Sequence, residues 1–358
     1  MKNTESSKMQ LTRRALLTRT LPQSAGLLFM SPLVQAASDL KDTHTCWLKG
    51  PKWTVQHSWT DATARIEIQR LQHKLKVLHL SDTHVTCSDE TDLPFKQYSA
   101  RMDRAYERTR HYQTGVSSVP IEYLRRLLQF AQGEKVDFIV LTGDIVNNPS
   151  RTSVSAVRRE LENVNIPYAY VAGNHDWHYE GMTGTADQLR ETWRKNHLRP
   201  LFHTDALSHY AVVKAGINFI AIDNSTYQVT EQQLRFFQAQ MGLNLPAVLL
   251  MHIPLSLGSF PSLQCGHPNW GSQRDRNYKI ERRQRWPETG NLKSTLDFVR
   301  QVGRSDNLIA LLCGHIHSAR VDRVQPLAFP GITSASALQY TTRAGAVGGH
   351  RLVTFAGV

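Results

Sequence analysis

Cysteine is scarce in this chain: Cys46, Cys87, Cys265 and Cys313 are the four among 358 residues. That excludes a disulfide-built scaffold, although four thiols permit two disulfides in three pairings in an oxidising compartment. Cys313 lies inside an apolar run, where a free buried thiol is expected, and Cys87 reads as structural. Long apolar stretches are also missing. None reaches the roughly 18 residues of a membrane-spanning helix, so no transmembrane segment is expected in the mature chain. Internal repeats and low-complexity runs are absent, as is any recognisable nucleic-acid-binding module. What remains is a chain long enough for one large α/β domain plus an N-terminal extension, with 41% hydrophobic residues to build a core.

Acidic residues are outnumbered, giving a formal net charge of +12. Residues 1–37 carry Lys2, Lys8, Arg13, Arg14 and Arg19 against Glu5, a net +4, which leaves +8 of the +12 for the remainder. A basic surface suits small anionic substrates, nucleic acid or anionic headgroups alike, so nucleic acid is compatible but not indicated. Thr12-Arg13-Arg14-Ala15-Leu16-Leu17 resembles a twin-arginine export motif, followed by a mildly apolar stretch and a small-residue cleavage site at Val34-Gln35-Ala36. The expectation is a signal peptide over residues 1–37 and a bacterial periplasmic destination. Residues 38–70 then form a polar, Trp-containing extension in which ARIEIQ reads as an edge strand.

Five polar clusters recur after short apolar runs. VLHLS precedes Asp82-Thr83-His84, DFIVLT precedes Gly143-Asp144, and YAYVA precedes Gly173-Asn174-His175-Asp176. AVLLM precedes His252, and NLIALLC precedes Gly314-His315-Ile316-His317. A run of this length closed by a turn reads as a buried strand. Five such strands would gather carboxylates, imidazoles and an amide around one point at a sheet edge, where α/β proteins commonly bind ligands. Taken singly, each residue has a plainer reading: Asn174 as a turn residue, His84 as a surface histidine, His315 and His317 as a satisfied core pair. Taken together, in this order, they read as a two-metal hydrolase site. IEYLRRLLQFAQ, SVSAVRRELENV and TEQQLRFFQAQM read as helices, the last with Thr230 as N-cap. Two insertions flank the motifs, residues 86–120 and 255–295. The second carries Cys265, Trp270, Arg274, Arg276, Tyr278, Lys279, Arg282, Arg283, Arg285 and Trp286. Loops on a rigid scaffold usually carry specificity, so substrate choice is expected there.

The constellation resembles the calcineurin-like metallophosphoesterase superfamily, whose motifs run D-x-H, G-D, G-N-H-[DE], H and G-H-x-H. The resemblance implies a four-layer α-β-β-α sandwich over residues 71–358 and two divalent metal ions. It makes Asp144 the bridging carboxylate. Asp82, His84 and His317 would complete one metal site, and Asn174, His252 and His315 the other. A set of imidazoles, carboxylates and an amide without thiolate suits Mn²⁺, Fe or Zn²⁺. Two such ions about 3.5–4 Å apart clamp a phosphate and generate hydroxide near neutral pH. His175 would stand over the substrate and either protonate the leaving oxygen or stabilise charge on the phosphoryl group, work for which imidazole is suited. Asp176 would orient that ring; His178, just beyond, reads as an ordinary loop residue. The remaining histidines match no motif.

Departures narrow the reading. Protein Ser/Thr phosphatases continue G-D with V-D-R-G, whereas Asp144 is followed here by Ile145-Val146-Asn147-Asn148. Purple acid phosphatases place a Tyr ligand in G-D-x-x-Y, where this chain has Asn147. The expected activity is metal-dependent hydrolysis of a phosphate ester, a phosphodiester first. A phosphomonoesterase, a metal-dependent nuclease and a catalytically silent binding protein are the alternatives. The last would be expected to have lost ligands, and none is missing.

Overall fold

The structure, a computed structural model, describes residues 43–259, 264–270, 290–334 and 336–358. The expected signal segment, and the basic and aromatic run from Arg274 to Trp286, lie outside the described residues.

Two β-sheets form the centre. β1 (His44–Lys49), β2 (Thr54–Trp59) and β3 (Thr63–Ile68) make an antiparallel meander. β4 (Leu75–Leu80), β7 (Phe138–Thr142) and β8 (Tyr168–Val171) are parallel neighbours, with the short hairpin β5 (Thr109–Arg110) and β6 (Ser117–Ser118) between β4 and β7 in sequence. The order of this seven-stranded sheet is β1-β2-β3-β15-β4-β7-β8, with β15 (Arg351–Gly357) parallel to β3 and antiparallel to β4. The second sheet has six strands: β9 (His209–Lys214), β10 (Ile217–Ile222), β11 (Ala247–Leu250), β12 (Leu308–Cys313), β13 (Arg320–Arg323) and β14 (Leu338–Thr341). Its order is β13-β14-β12-β11-β10-β9, with β10, β11, β12 and β14 parallel.

Period-two alternation sets the layers. Val77, Phe138, Val140, Ala169 and Val171 share a buried cluster with Phe219, Ala221, Val248, Leu250 and Leu312, so the two sheets face each other. The alternate residues of the same strands, Leu78, Leu80, Ile139 and Leu141 on one sheet and Ile220, Leu249 and Leu311 on the other, join the helices. α1 (Lys96–Ala105) lies in the first insertion; α2 (Pro120–Gly133) and α3 (Arg151–Val164) contact one another, α4 (Ala186–Asn196) follows β8, and α5 (Glu231–Met241) contacts α6 (Lys293–Arg304). This is the expected α-β-β-α sandwich. Local signals place the helix ends: Pro120 opens α2, and Thr230 with Gln233 forms a capping box on α5.

One sequence expectation needs correction. The edges of the seven-stranded sheet are β1 and β8, whereas β3, expected at an edge, is interior between β2 and β15. Its partner Leu352 comes from the far end of the chain, which no local pattern can reveal. The described part of the 38–70 extension is therefore part of the main sheet. The insertion at residues 86–120 holds a 3-10 turn at Glu90–Phe95, α1 and the β5–β6 hairpin. All four cysteines are free thiols, Cys265 and Cys313 buried.

Candidate metal centre

The five strands that precede the motifs are β4, β7 and β8 in one sheet and β11 and β12 in the other. The site thus lies at the C-terminal edges of two facing sheets, where the sequence alone suggested one. Backbone bonds lock the loops in register: Asp82 N donates to Gly143 O, His84 N to Asp144 O and Val85 N to Ile145 O, each at 2.9 Å. Asp82, His84, Asp144, His315 and His317 all have left-handed backbone, with φ of 55°, 44°, 53°, 71° and 54°. Non-glycine residues adopt that region rarely, and such strain clusters at functional sites. The glycines beside them answer to crowding. A Cβ on Gly173 would lie 2.2 Å from Asp144 Oδ1, and one on Gly314 would lie 1.7 Å from Ser81 Oγ.

Three groups of side chains offer ligand atoms close enough for a shared cation: Asp82, His84 and His317; His84, Asp144 and His175; and Asp144, His252 and His315. Asp144 belongs to two of them. His252 Nε2 lies 3.2 Å from Asp144 Oδ2 and 3.1 Å from Asn174 Oδ1, which brings in the amide. His317 Nε2 lies 3.3 Å from Asp82 Oδ1 and 3.2 Å from His84 Nε2. His252 Nδ1 is 2.8 Å from the Thr142 carbonyl. Donation to that oxygen leaves Nε2 as the nitrogen facing Asp144, the one that would serve a cation once it is free of a proton. Every residue expected as a ligand is therefore in this cluster. His317 is the open one, its side chain 40% exposed, while Asp82 is fully buried.

Electrostatics tests the fit to cations. Burial raises the pKa of Asp82, but His317 overrides it and holds the carboxyl at about 2. Burial also works against ionisation of Asp144, yet His252 and His175 keep it well below the usual carboxylate range. Burial lowers His252, whereas the Asp144 charge and hydrogen bond carry it up to about 9. His317 is likewise raised, by Asp82 against its own desolvation. Burial and then His252 push His315 down to about 3, and burial and then His175 hold His84 well below its ordinary value. Two buried carboxylates thus draw protons onto neighbouring imidazoles while two others stay neutral. Paired buried carboxylates with imidazoles around them suit divalent ions, which would take the place of the protons on His252 and His317.

Asp176 departs from expectation. Its Oδ2 accepts from Asp144 N at 2.9 Å and Gly173 N at 2.7 Å. Its Oδ1 accepts from Val146 N at 2.8 Å. It clamps two motif loops together and does not orient His175. Burial, then the Asp144 charge, raises its pKa to about 7 against the Gly173 and Val146 amides. The His175 ring is held by Asn147 instead, with Nδ1 at 3.1 Å from its Oδ1 and 3.3 Å from its backbone O. His175 N donates to Asp144 Oδ1 at 2.7 Å. His178 belongs to none of the cation groups found among the described residues.

Sequence reading missed three neighbours. Asn147 was noticed only for not being tyrosine. Tyr106, from the first insertion, stacks on His84 at 4.0 Å between ring centroids and 18° between planes, and meets His175 edge-on at 6.3 Å. Tyr227 reaches His315 Nε2 with its hydroxyl at 2.8 Å. None lies in a motif; an aromatic in an insertion beside the site was the one available signal. Cys87 is in no cation group found among the described residues, and its backbone is bonded to Ser150 and Ser153.

The chain is similar to several known proteins. A curated relative from Vesicomyosocius okutanii, described as a probable cyclic nucleotide phosphodiesterase, is 21% identical over 196 residues, covering 55% of this chain and 69% of its own. Similar solved structures include a dimetal phosphatase from Danio rerio, at 13% identity and TM-score 0.44, covering 76% of this chain and 88% of that one. Another is a purple acid phosphatase from yellow lupin (Lupinus luteus), at 12% identity and TM-score 0.45, covering 83% and 50%. Residues 75–319 match the family model of the calcineurin-like phosphoesterases, and with the motif residues converged as described, the chain belongs to that family.

Proposed function

We propose that this protein hydrolyses a phosphodiester at a two-metal centre, water cleaving one P–O bond to give a monoester and an alcohol. The observation that carries the reading is Asp144, which lies in one cation group with His84 and His175 and in another with His252 and His315, while His84 joins the first to Asp82 and His317. Asn174 adds its amide beside His252. Two divalent ions, when bound, would neutralise the phosphoryl oxygens and activate water near neutral pH. Asp82, His84 and His317 would hold one and Asn174, His252 and His315 the other, with Asp144 between them. His175 would protonate the departing alkoxide. Asn147 accepts from its Nδ1–H, which leaves Nε2–H for that transfer. Tyr106 walls the same side. The diester preference draws support from the name of the Vesicomyosocius relative and from the motif departures.

The test is hydrolysis of bis-p-nitrophenyl phosphate beside p-nitrophenyl phosphate by chelated protein reloaded with Mn²⁺, Fe²⁺ or Zn²⁺. Metal-dependent preference for the diester supports the proposal. Preference for the monoester makes the protein a phosphatase, and inactivity with ions bound favours a binding role. We also propose twin-arginine export to the periplasm on the strength of Thr12–Leu17. Replacing Arg13 and Arg14 by lysine should stop export, and unchanged export would sink that assignment.

A further inference from the structure

Tyr227 lies outside every motif, yet it is held more tightly than a loop residue needs to be. Its side chain is 1% exposed, and its φ is 62°. The other non-glycine residues with positive φ among those described fall into two sets. Asp82, His84, Asp144, His315 and His317 form the motif loops, and Arg70, Lys135, Asn165, Ala215 and Asn244 lie in ordinary connections. Tyr227 belongs to neither set, and a bulky side chain there signals a constraint imposed by its surroundings.

Those surroundings are specific. Tyr227 N donates to Asn224 O at 2.7 Å, closing a turn after β10. The Asn224 side chain grips both backbone groups of Ile253, next to His252, through Nδ2 at 2.6 Å and Oδ1 at 3.1 Å. The Trp270 ring stacks on the Tyr227 ring at 4.1 Å and 18°. The phenol is thereby aimed at His315 Nε2, 2.8 Å away.

A neutral imidazole has one lone pair, and the partner of one nitrogen decides which nitrogen keeps it. His252 shows the rule through Thr142. We propose that Tyr227 is a positioning residue for the second ion: its hydroxyl oxygen accepts from His315 Nε2–H, fixing the tautomer that leaves Nδ1 for the ion shared with Asp144 and His252. The inference rests on the two-metal reading of the site. It also ties the second insertion to the metal centre, because Trp270 seats the tyrosine.

Tyr227→Phe keeps the ring and the Trp270 stack and removes only the oxygen. Zn²⁺ titration against a competing chelator should show two ions in the unaltered protein. In the variant one of the two should bind about 10–100-fold more weakly, the other being unchanged. Unchanged affinity at both sites overturns the proposal. ¹⁵N-histidine NMR of the unaltered, zinc-loaded protein gives a second readout that does not depend on the variant folding. His315 should carry its proton on Nε2, and a proton on Nδ1 refutes the assignment. If the unaltered protein takes up no pair of ions, the two-metal reading itself fails; two ions with an indifferent Tyr227→Phe removes only this inference.

Discussion

Replacing Asp176 by Asn tests whether the clamp described here, and not histidine orientation, is the work of the fourth residue in Gly173-Asn174-His175-Asp176. The carboxylate accepts three amide protons, from Asp144 and Gly173 on Oδ2 and from Val146 on Oδ1. A carboxamide has one acceptor oxygen. Turned to keep Asp144 and Gly173, it presents its own N–H groups to the Val146 N–H in a fully buried place. A hydrogen bond to a charged acceptor contributes about 1.5–3 kcal/mol, and a buried donor left unpaired costs about 1–3 kcal/mol. Since the two terms overlap, Asp176→Asn should lose about 2–4 kcal/mol of unfolding free energy, read from urea titrations. Ion binding should weaken with it, because the same clamp fixes the backbone of Asp144. A variant as stable as the parent and equally active would refute the clamp. A variant as stable as the parent but slow would return Asp176 to the role of orienting His175.

Asp144→Ala should lose both ions and turnover, whereas His175→Ala should keep the ions and lose about 10²–10⁴ in rate; metal analysis beside steady-state kinetics distinguishes them, and retained turnover in both sinks the mechanism. Gly314→Ala would set a Cβ 2.6 Å from Asp82 Oδ2 and should cost about 1–3 kcal/mol by overpacking, with weakened ion binding in a chelator titration. His57, buried between Tyr340 and Ser336, is lowered from 6.5 to about 4 by burial, against the Ser336 carbonyl. The unfolded chain therefore binds the extra proton first, so stability is full above about pH 6.5 and falls by about 3 kcal/mol as the pH drops to about 4. His57→Gln should flatten that part of the pH–stability curve, and an unchanged curve refutes the assignment.

The sequence made much of this legible because the chemistry is local to strand ends. Runs such as FIVLT and LIALLC are buried on both faces, so they read as continuous apolar stretches, and the turn that ends each one carries its ligands. Thr230 marked a helix start because capping acts within one turn. What stayed hidden depended on contacts between distant segments. Nothing near Thr63–Ile68 announces that Leu352 will pair beside it. The proximity of Asp176 to His175 in sequence suggested a partnership, whereas its carboxylate turns back to the loop of Asp144. Asn147 and Tyr227 act through single hydrogen bonds to residues far along the chain, and no spacing rule registers such pairs.

The insertion of β15 between β3 and β4 governs the order in which the molecule can be completed. Thr63–Ile68 and Leu75–Leu80 leave the ribosome almost together, but each keeps an unpaired edge until residues 351–357 arrive. Pairing so remote in sequence is slow to form, and open strand edges invite association with other chains in the interim. The first sheet therefore stays split while the residues between Leu80 and Arg351 are made. Assembly of the sheet waits on residues 351–357, and a chain interrupted before them would carry two exposed edges.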